Sequence, residues 1–404
     1  MPALGRDLKR HRSGTHRCVD PKATLARLSP LLPAIGVTRV ANVTGLDYIG
    51  IPVVVTARPL ARSLSVQQGK GLSVDAAKAS AVMESVESHS AQRRAREAVW
   101  FSRREVAATE HALPRHLLRR RLPPDRRIPW VDGFDLLRSR PSLVPEELVQ
   151  TDFSEPVPEG HGWFAASSNG LGAGNTETEA LLHALCELVE RDAFTLWCHA
   201  PPDRRAATRF DPEALPDSDV AWLRRQFEAA RIALEVWDIT SDIGIPAFYC
   251  EIDDPDGRAP RLGRFGGVGC HPSAAVALCR ALCEAAQSRL TFIVGSREDL
   301  PPSRYALLQW QGSGGLGAPS PGPAGHPARR EPPASIDTDS VADDLAAVLA
   351  RLAACGVDSA VAVTLTDPEL DLPCVRVVVE GLEGPHDRPG FRPGERLRKQ
   401  VGSC

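Results

Sequence analysis

The sequence predicts a mixed α/β or α+β fold, and three observations carry that expectation. Runs of β-branched residues bounded by glycine and proline alternate along the chain with helical patterns. Glycine-rich stretches stand before the most strongly apolar of those helices. At 404 residues the chain can bury a large core, in one domain or in two.

Residues 1 to about 22 are basic and unpatterned and read as a mobile tail. Two strands follow, in VTRVAN and IPVVVTARP, and from Ser73 to Glu87 the pattern turns helical. An arginine-dense segment from Arg93 to Arg127 holds helix-like pieces broken by Pro114, Pro123 and Pro124. The glycine-rich link SSNGLGAGN leads into the helix TEALLHALCELVERDAFTLW, and the strands IALEVWDIT and IPAFYCEI come after it. A second cluster, GRFGGVG, opens the helix AAVALCRALCEAAQSRL. Residues from about 311 to 333 are rich in Gly, Pro and Ser and are expected to form a flexible excursion. The chain returns to helix in SVADDLAAVLARLAACG and to strand in AVAVTLT and CVRVVVEG.

Net charge is −3 with 25% charged residues, a balance that points to no nucleic acid and no other polyionic partner. The arginines at 119, 120 and 121 are offset by Glu97, Glu105 and Glu110, so that stretch reads as a solvated helix face. The ten cysteines form no CxxC pair, and several fall inside apolar helices, where a thiol behaves as a small hydrophobe. No apolar run reaches membrane-spanning length and the N-terminus lacks the apolar core of a signal peptide, so a cytoplasmic protein is expected.

Three helices repeat one pattern. Gly71 precedes Ala77, Ala81, Glu84 and Glu87; Gly174 precedes Ala180, Ala184, Glu187 and Glu190; Gly269 precedes Ala277, Ala281, Glu284 and Gln287. The first two intervals are identical and the third is two residues longer. Within each helix the four positions share one face, bearing two alanines and then two polar groups. A single Glu-x-x-Glu is most simply a solvated face. Around Glu187, however, Leu182, Leu185, Leu188, Val189 and Phe194 leave little surface to solvate. Converged carboxylates would raise one another's pKa and call for a cation. Magnesium takes oxygen ligands, commonly a few carboxylates together with substrate phosphates. Arg191 and Arg289, next to the acid pairs, supply donors suited to phosphate, and the glycine loops present helix N-termini to anions.

Other nucleotide and catalytic motifs are absent. Lys70 in QGKGL fails the phosphate-loop pattern, because Leu64 stands where its first glycine belongs and Gly71 follows the lysine. Gly170 and Gly172 begin a dinucleotide fingerprint that lacks its closing glycine, Asn175 standing there instead. There is no GxSxG elbow, and His89, His161, His183 and His271 have no mutual metal-ligand spacing.

The acid helices and glycine loops together resemble the YcaO family, ATP-dependent enzymes that activate peptide backbone amides. The blocks that carry the resemblance are GTHR, TRVANVTGLDYIGIPVV, RP followed by QGKG, Ser80-x-x-x-Glu84-x-x-Glu87, SNGLGAGNT followed by ExxER, RALCEAAQSRLTFIVGSRED and VRVVVEGLEGP. They run from about Gly14 to Pro393, which implies one such domain over residues 23–395, with 396–404 as a C-terminal tail. The resemblance implies β-sheets flanked by helices, an ATP site without a P-loop, Mg2+ held by the acid helices, and a homodimer. It makes Glu84, Glu87, Glu187 and Glu190 the metal ligands. It places Lys70, Ser80, Asn175, Glu179, Arg191, Glu284, Gln287 and Arg289 at the nucleotide, with Lys70, Arg191 and Arg289 on its phosphates.

The GTHR and TRVANVTGLD blocks look most like the branch found with TfuA-type partner proteins, linked to thioamide formation in ribosomally made peptides. The implied activity is ATP-dependent phosphorylation of a precursor-peptide amide, with a TfuA-like partner and a sulfur donor. The last residues, GERLRKQVGSC, lack the proline-rich tail of azoline-forming members, which disfavours cyclodehydration of Cys, Ser or Thr. A non-catalytic peptide-binding scaffold is the third expectation, and the intact acid pairs speak against it.

Overall fold

The structure is a computed structural model that describes residues 7–92, 98–106, 113–114, 117–165, 167–255, 262–300, 302–303, 305, 331–386 and 391–402. The expected flexible excursion lies outside the described residues up to 330, and 331–333 belong to no helix or strand.

Helix α1 (Pro21–Leu28) precedes a sheet ordered β1 (Arg39–Asn42), β2 (Val53–Ala57), β3 (Val66–Lys70), and α2 (Val74–Ala91) follows it. Next come β4 (Val99–Ser102), α3 (Arg103–Val106), β5 (Arg127–Asp135), β6 (Arg140–Pro145) and β7 (Leu171–Ala173). Three helices follow: α4 (Glu177–Cys198), α5 (Pro202–Ala207) and α6 (Ser218–Ala229). The second sheet consists of β8 (Ala233–Asp238), β9 (Ala247–Asp253) and β10 (Phe265–Cys270), and leads to α7 (Ala274–Val294). The chain ends with α8 (Val341–Ala354), β11 (Ala360–Thr364), β12 (Cys374–Val379) and α9 (Glu395–Gly402). The third sheet runs β4-β5-β11-β12-β7, with β6 paired to β5, and all the pairings are antiparallel.

One unit therefore occurs three times: β3 into α2, β7 into α4, β10 into α7. In each, the strand closes one end of its sheet's strand order, and the helix packs back on it. The strand carries glycine where the helix crosses. A Cβ on Gly69 would come within 2.0 Å of the Ala81 nitrogen, one on Gly172 within 2.5 Å of the Ala180 oxygen, and one on Gly269 within 2.2 Å of the Ala277 oxygen. Backbone packs on backbone, so the paired alanines of each helix face a strand glycine. Ser73 and Thr176 cap α2 and α4 through their hydroxyls, and Gly295, at φ 62°, ends α7.

Two expectations at the chain ends are corrected. The described part of the N-terminal segment is held in place rather than mobile. Lys9, its side chain wholly buried, places Nζ 2.6 Å from Asp344, 2.7 Å from Asp337 and 2.7 Å from the Thr338 carbonyl. His11 and Arg17 pair as a small hairpin, and the Gly14 N–H bonds Asp219 at 2.7 Å. His16, His271 and Asp344 meet close by, all buried. His271 Nδ1 accepts the Ser273 N–H, which leaves the ring proton on Nε2 and suits packing better than metal ligation. At the other end, residues 395–402 form α9, and Arg396 reaches the buried Asp192 at 3.0 Å. A charged partner for a buried carboxylate explains why that end is ordered.

Among the described residues no helix is long and apolar enough to cross a membrane. The nine described cysteines are free thiols, seven of them buried.

Candidate functional site

The helices α2, α4 and α7 meet around a cavity of about 870 Å3 lined by their polar faces. Their outer polar positions close into a ring. Glu87 of α2 accepts the Ala173 N–H of β7 at 2.7 Å, and Glu190 of α4 accepts the Cys270 N–H of β10 at 3.1 Å. Gln287 of α7 donates through Nε2 to the Gln68 carbonyl of β3 at 2.9 Å. Each unit thus grips the strand of the next. The third unit carries a carboxamide because it meets a carbonyl, where a carboxylate would have no proton to give.

The inner positions face the cavity. Glu284 lies 2.7 Å from Lys70 Nζ and accepts the Val268 N–H at 3.4 Å. Arg191 approaches Glu187 at 3.9 Å and Glu190 at 3.7 Å, too far for a tight pair. Burial pushes Glu84 and Glu190 up to about 7, and Lys70 and Arg191 respectively offset it only in part. Glu87 stands well above the usual carboxylate range through burial and then through Glu84 and Glu187; Glu187 is raised by burial, against Arg191. Glu284 alone is lowered: burial opposes its charge, but Lys70 and Arg191 outweigh that. Seven carboxylates line the cavity (Glu84, Glu87, Glu179, Glu187, Glu190, Glu284 and Asp299) against five cations (Arg17, Lys70, Arg191, Arg280 and Arg297), a deficit of two charges, and hard oxygen donors short of positive charge fit Mg2+.

Of the twelve sequence-predicted residues, Lys70, Ser80, Glu84, Glu87, Asn175, Glu179, Glu187, Glu190, Arg191, Glu284 and Gln287 line this one cavity. The side chains of Asn175 and Glu179 are spent on protein partners: Glu179 accepts from Asn175 and the Cys18 N–H, and Asn175 Oδ1 accepts from Thr24.

Arg289 is the correction. It is 2% exposed and does not line the cavity; its guanidinium bonds Asp47 at 3.0 Å and Tyr48 at 3.0 Å and lies 3.5 Å from Asp254. On a helix, positions 287 and 289 diverge by about 200°, so an arginine two residues beyond the acid face turns away from it. Arg280 takes the place foreseen for it: it lines the cavity, and Glu190, ahead of Cys186 and Glu284, holds its pKa up against burial. Its signal was present, since Ser80, His183 and Arg280 each stand four residues before an inner glutamate. All three line the cavity, as does Arg17 of the N-terminal hairpin.

A match to the family described as YcaO cyclodehydratase, ATP- and Mg2+-binding, spans residues 68–383. A protein encoded in the tfuA 3′ region of Rhizobium leguminosarum bv. trifolii is 36% identical over 408 residues, covering 95% of this chain and 93% of its own. The structure of YcaO from Methanopyrus kandleri bound with AMPPCP and Mg2+ superposes with a TM-score of 0.68 at 25% identity, over 93% of this chain and 95% of that one. A heterocyclase in complex with substrate and cofactor superposes with a TM-score of 0.77 at 21% identity, over 99% of this chain but only 57% of that longer one. The family match extends through all three acid helices, and the chain belongs to the YcaO family, whose domain binds ATP and Mg2+.

Proposed function

We propose that this protein uses ATP and Mg2+ to activate a peptide backbone amide by phosphorylation, and that its product is a thioamide in a ribosomally made, post-translationally modified peptide. The observation that supports it most is the cluster of under-neutralised carboxylates that α2, α4 and α7 bring to one cavity. Glu84, Glu87, Glu187 and Glu190 hold the metal, while Lys70, Arg191 and Arg280 meet the phosphates. Bound Mg2+ supplies charge neutralisation and alignment for phosphoryl transfer.

An amide oxygen leaves poorly, so the chemistry needs it phosphorylated. A sulfur nucleophile adds to the amide carbon, and the resulting oxyanion attacks the γ-phosphorus of ATP with loss of ADP. The carbon–oxygen bond then breaks and phosphate leaves while the sulfur gives up its proton, so that a carbon–sulfur double bond replaces the carbon–oxygen one. No side-chain nucleophile takes part.

The relative from the tfuA 3′ region supports a TfuA-like partner; the sulfur donor is required by the thioamide reading itself. The protein would act as a homodimer in the cytoplasm. Azoline formation, with the nucleophile from a Cys, Ser or Thr of the peptide, is the second reading, supported by the cyclodehydratase description of the family match. Product mass separates them: thioamidation exchanges oxygen for sulfur, whereas azoline formation loses water.

The first experiment is thermal unfolding with and without Mg-ATP, for the wild type and for Glu187→Gln/Glu190→Gln. A ligand at a hundred times its Kd stabilises the native state by about 2.7 kcal/mol. The wild type is expected to shift and the folded variant not to; equal shifts in both would move the nucleotide away from α4 and sink the reading.

A further inference from the structure

Beyond the carboxylate ring the cavity continues to the C-terminal end of α2, where three segments meet. The loop after β2 is tied to the helix by the Ser63–Ser88 hydroxyl contact at 3.0 Å and by Gln92 donating to Ser63 at 2.6 Å. The third segment joins through the Thr151 N–H to the Ala91 carbonyl and the Phe153 N–H to the Arg62 carbonyl, both 2.9 Å. Ser63, Leu64, Gln67, Ser88, Thr151 and Phe153 line this end.

Two of these residues hold polar atoms without partners although their side chains are buried. Gln67 is 9% exposed and Thr151 3%, yet Gln67 Oε1 and Thr151 Oγ1 bond nothing. Gln67 Nε2 donates to the Leu64 carbonyl at 2.6 Å, which fixes the amide so that its acceptor is the atom left over. Buried polar atoms without partners are rare and mark places where another group belongs. An acceptor asks for an N–H and repels a phosphate oxygen. These six side chains carry no charge, the charged Arg297 and Asp299 that also line the cavity pair with each other at 2.5 Å, and Phe153, half exposed at the rim, adds an apolar surface. The combination of an uncharged acceptor, hydroxyls and an aromatic face is that of a site for a peptide main chain with an apolar side chain.

We propose that this end of the cavity seats the peptide segment flanking the reacting amide, with Gln67 and Thr151 on its backbone and Phe153 with Leu64 on an apolar side chain. The proposal rests on the peptide-modifying reading above. It makes Gln67, Thr151 and Phe153 determinants of substrate choice, separate from the phosphate and metal groups.

The test is ligand-observed NMR on the full chain with Mg2+ and AMPPCP present, using two blocked tripeptides, N-acetyl-Gly-Leu-Gly-amide and N-acetyl-Gly-Asp-Gly-amide. The wild type is expected to bind the leucine peptide and to discriminate against the aspartate one. Phe153→Ala and Thr151→Val are expected to weaken the leucine peptide roughly fivefold each while leaving the Mg-ATP thermal shift unchanged. Unweakened binding by both variants, equal binding of the two peptides, or no binding by the wild type overturns the proposal. So does loss of the Mg-ATP shift in folded variants, which would assign this end to the nucleotide base. A wild type without any Mg-ATP shift is a different failure, that of the functional reading, and the peptide comparison is scored apart from it.

Discussion

The charges on the three acid helices and the charges under the N-terminal segment are matched in opposite ways. Lys9 has three acceptors within 2.7 Å, two of them carboxylates. Glu187 has its nearest cation, Arg191, at 3.9 Å, and Glu84, Glu87 and Glu190 bind protons more tightly than an ordinary carboxylate. A buried charge with full partners holds a fold together, whereas a partly desolvated cluster without them stores a demand for a ligand. The difference separates the part of this molecule that is finished by folding from the part finished by binding.

The comparison breaks most visibly at Lys9. Lys9→Ala leaves the buried Asp344 without its cation, while Asp337 keeps Arg12 at 3.5 Å, and removing one member of a buried pair costs about 3–5 kcal/mol. Chemical denaturation should show that loss, with Mg-ATP still stabilising whatever protein remains folded. A loss below about 1 kcal/mol would mean that the segment is not held by this pair.

Acidity sharpens the contrast, since the two regions respond to it in opposite directions. Glu84 and Glu190 are raised from 4.5 to about 7, so the folded state holds their protons more tightly than the unfolded chain does. Their contribution favours folding at low pH and fades as pH climbs from 4.5 through 7. His16 is lowered by burial from 6.5 to about 4, so its contribution is present above 6.5 and is lost as pH falls through 4. One pKa unit corresponds to about 1.4 kcal/mol, so each effect amounts to a few kcal/mol at most. Mg2+ must displace the carboxylate protons. Calorimetry in two buffers of different ionisation heat, at pH 6.5, should therefore show proton release on Mg-ATP binding, reduced in Glu187→Gln/Glu190→Gln. Binding heats independent of the buffer would put the metal elsewhere.

Much of this contrast was legible in the sequence, and its limits have physical causes. The acid pairs stood out because their spacing repeats on one helix face. The repeat was anchored on Gly71, Gly174 and Gly269, which leaves the third copy two residues long. The structure shows the anchor to be the strand glycine that the helix crosses. Counted from Gly69, Gly172 and Gly269, the alanines and polar groups fall 8, 12, 15 and 18 residues on in all three copies. The strands β7 and β10 were read as a glycine-rich link and cluster because the residues that let a helix approach are the ones that erase a strand's β-branched signature. Lys9 could not be assigned, since its partners lie more than 300 residues away. Arg289 was misjudged because adjacency in sequence was given the weight that belongs to helix phase.

The smallest expected effect tests which side of the contrast the sixth polar position belongs to. Gln287 looks like the sixth member of the acid set, yet its amide bonds the Gln68 carbonyl and so belongs with the charges and dipoles that folding satisfies. Gln287→Glu sets an acceptor against that carbonyl and removes one hydrogen bond, a loss on the order of 1 kcal/mol in a urea titration. Mg2+ affinity should stay the same or fall, because the added carboxylate is held at the ring's closure while the ring itself loosens. If Gln287→Glu instead binds Mg2+ more tightly, position 287 faces the metal, the third unit is equivalent to the other two, and the ring is a metal cage on all three sides rather than on two.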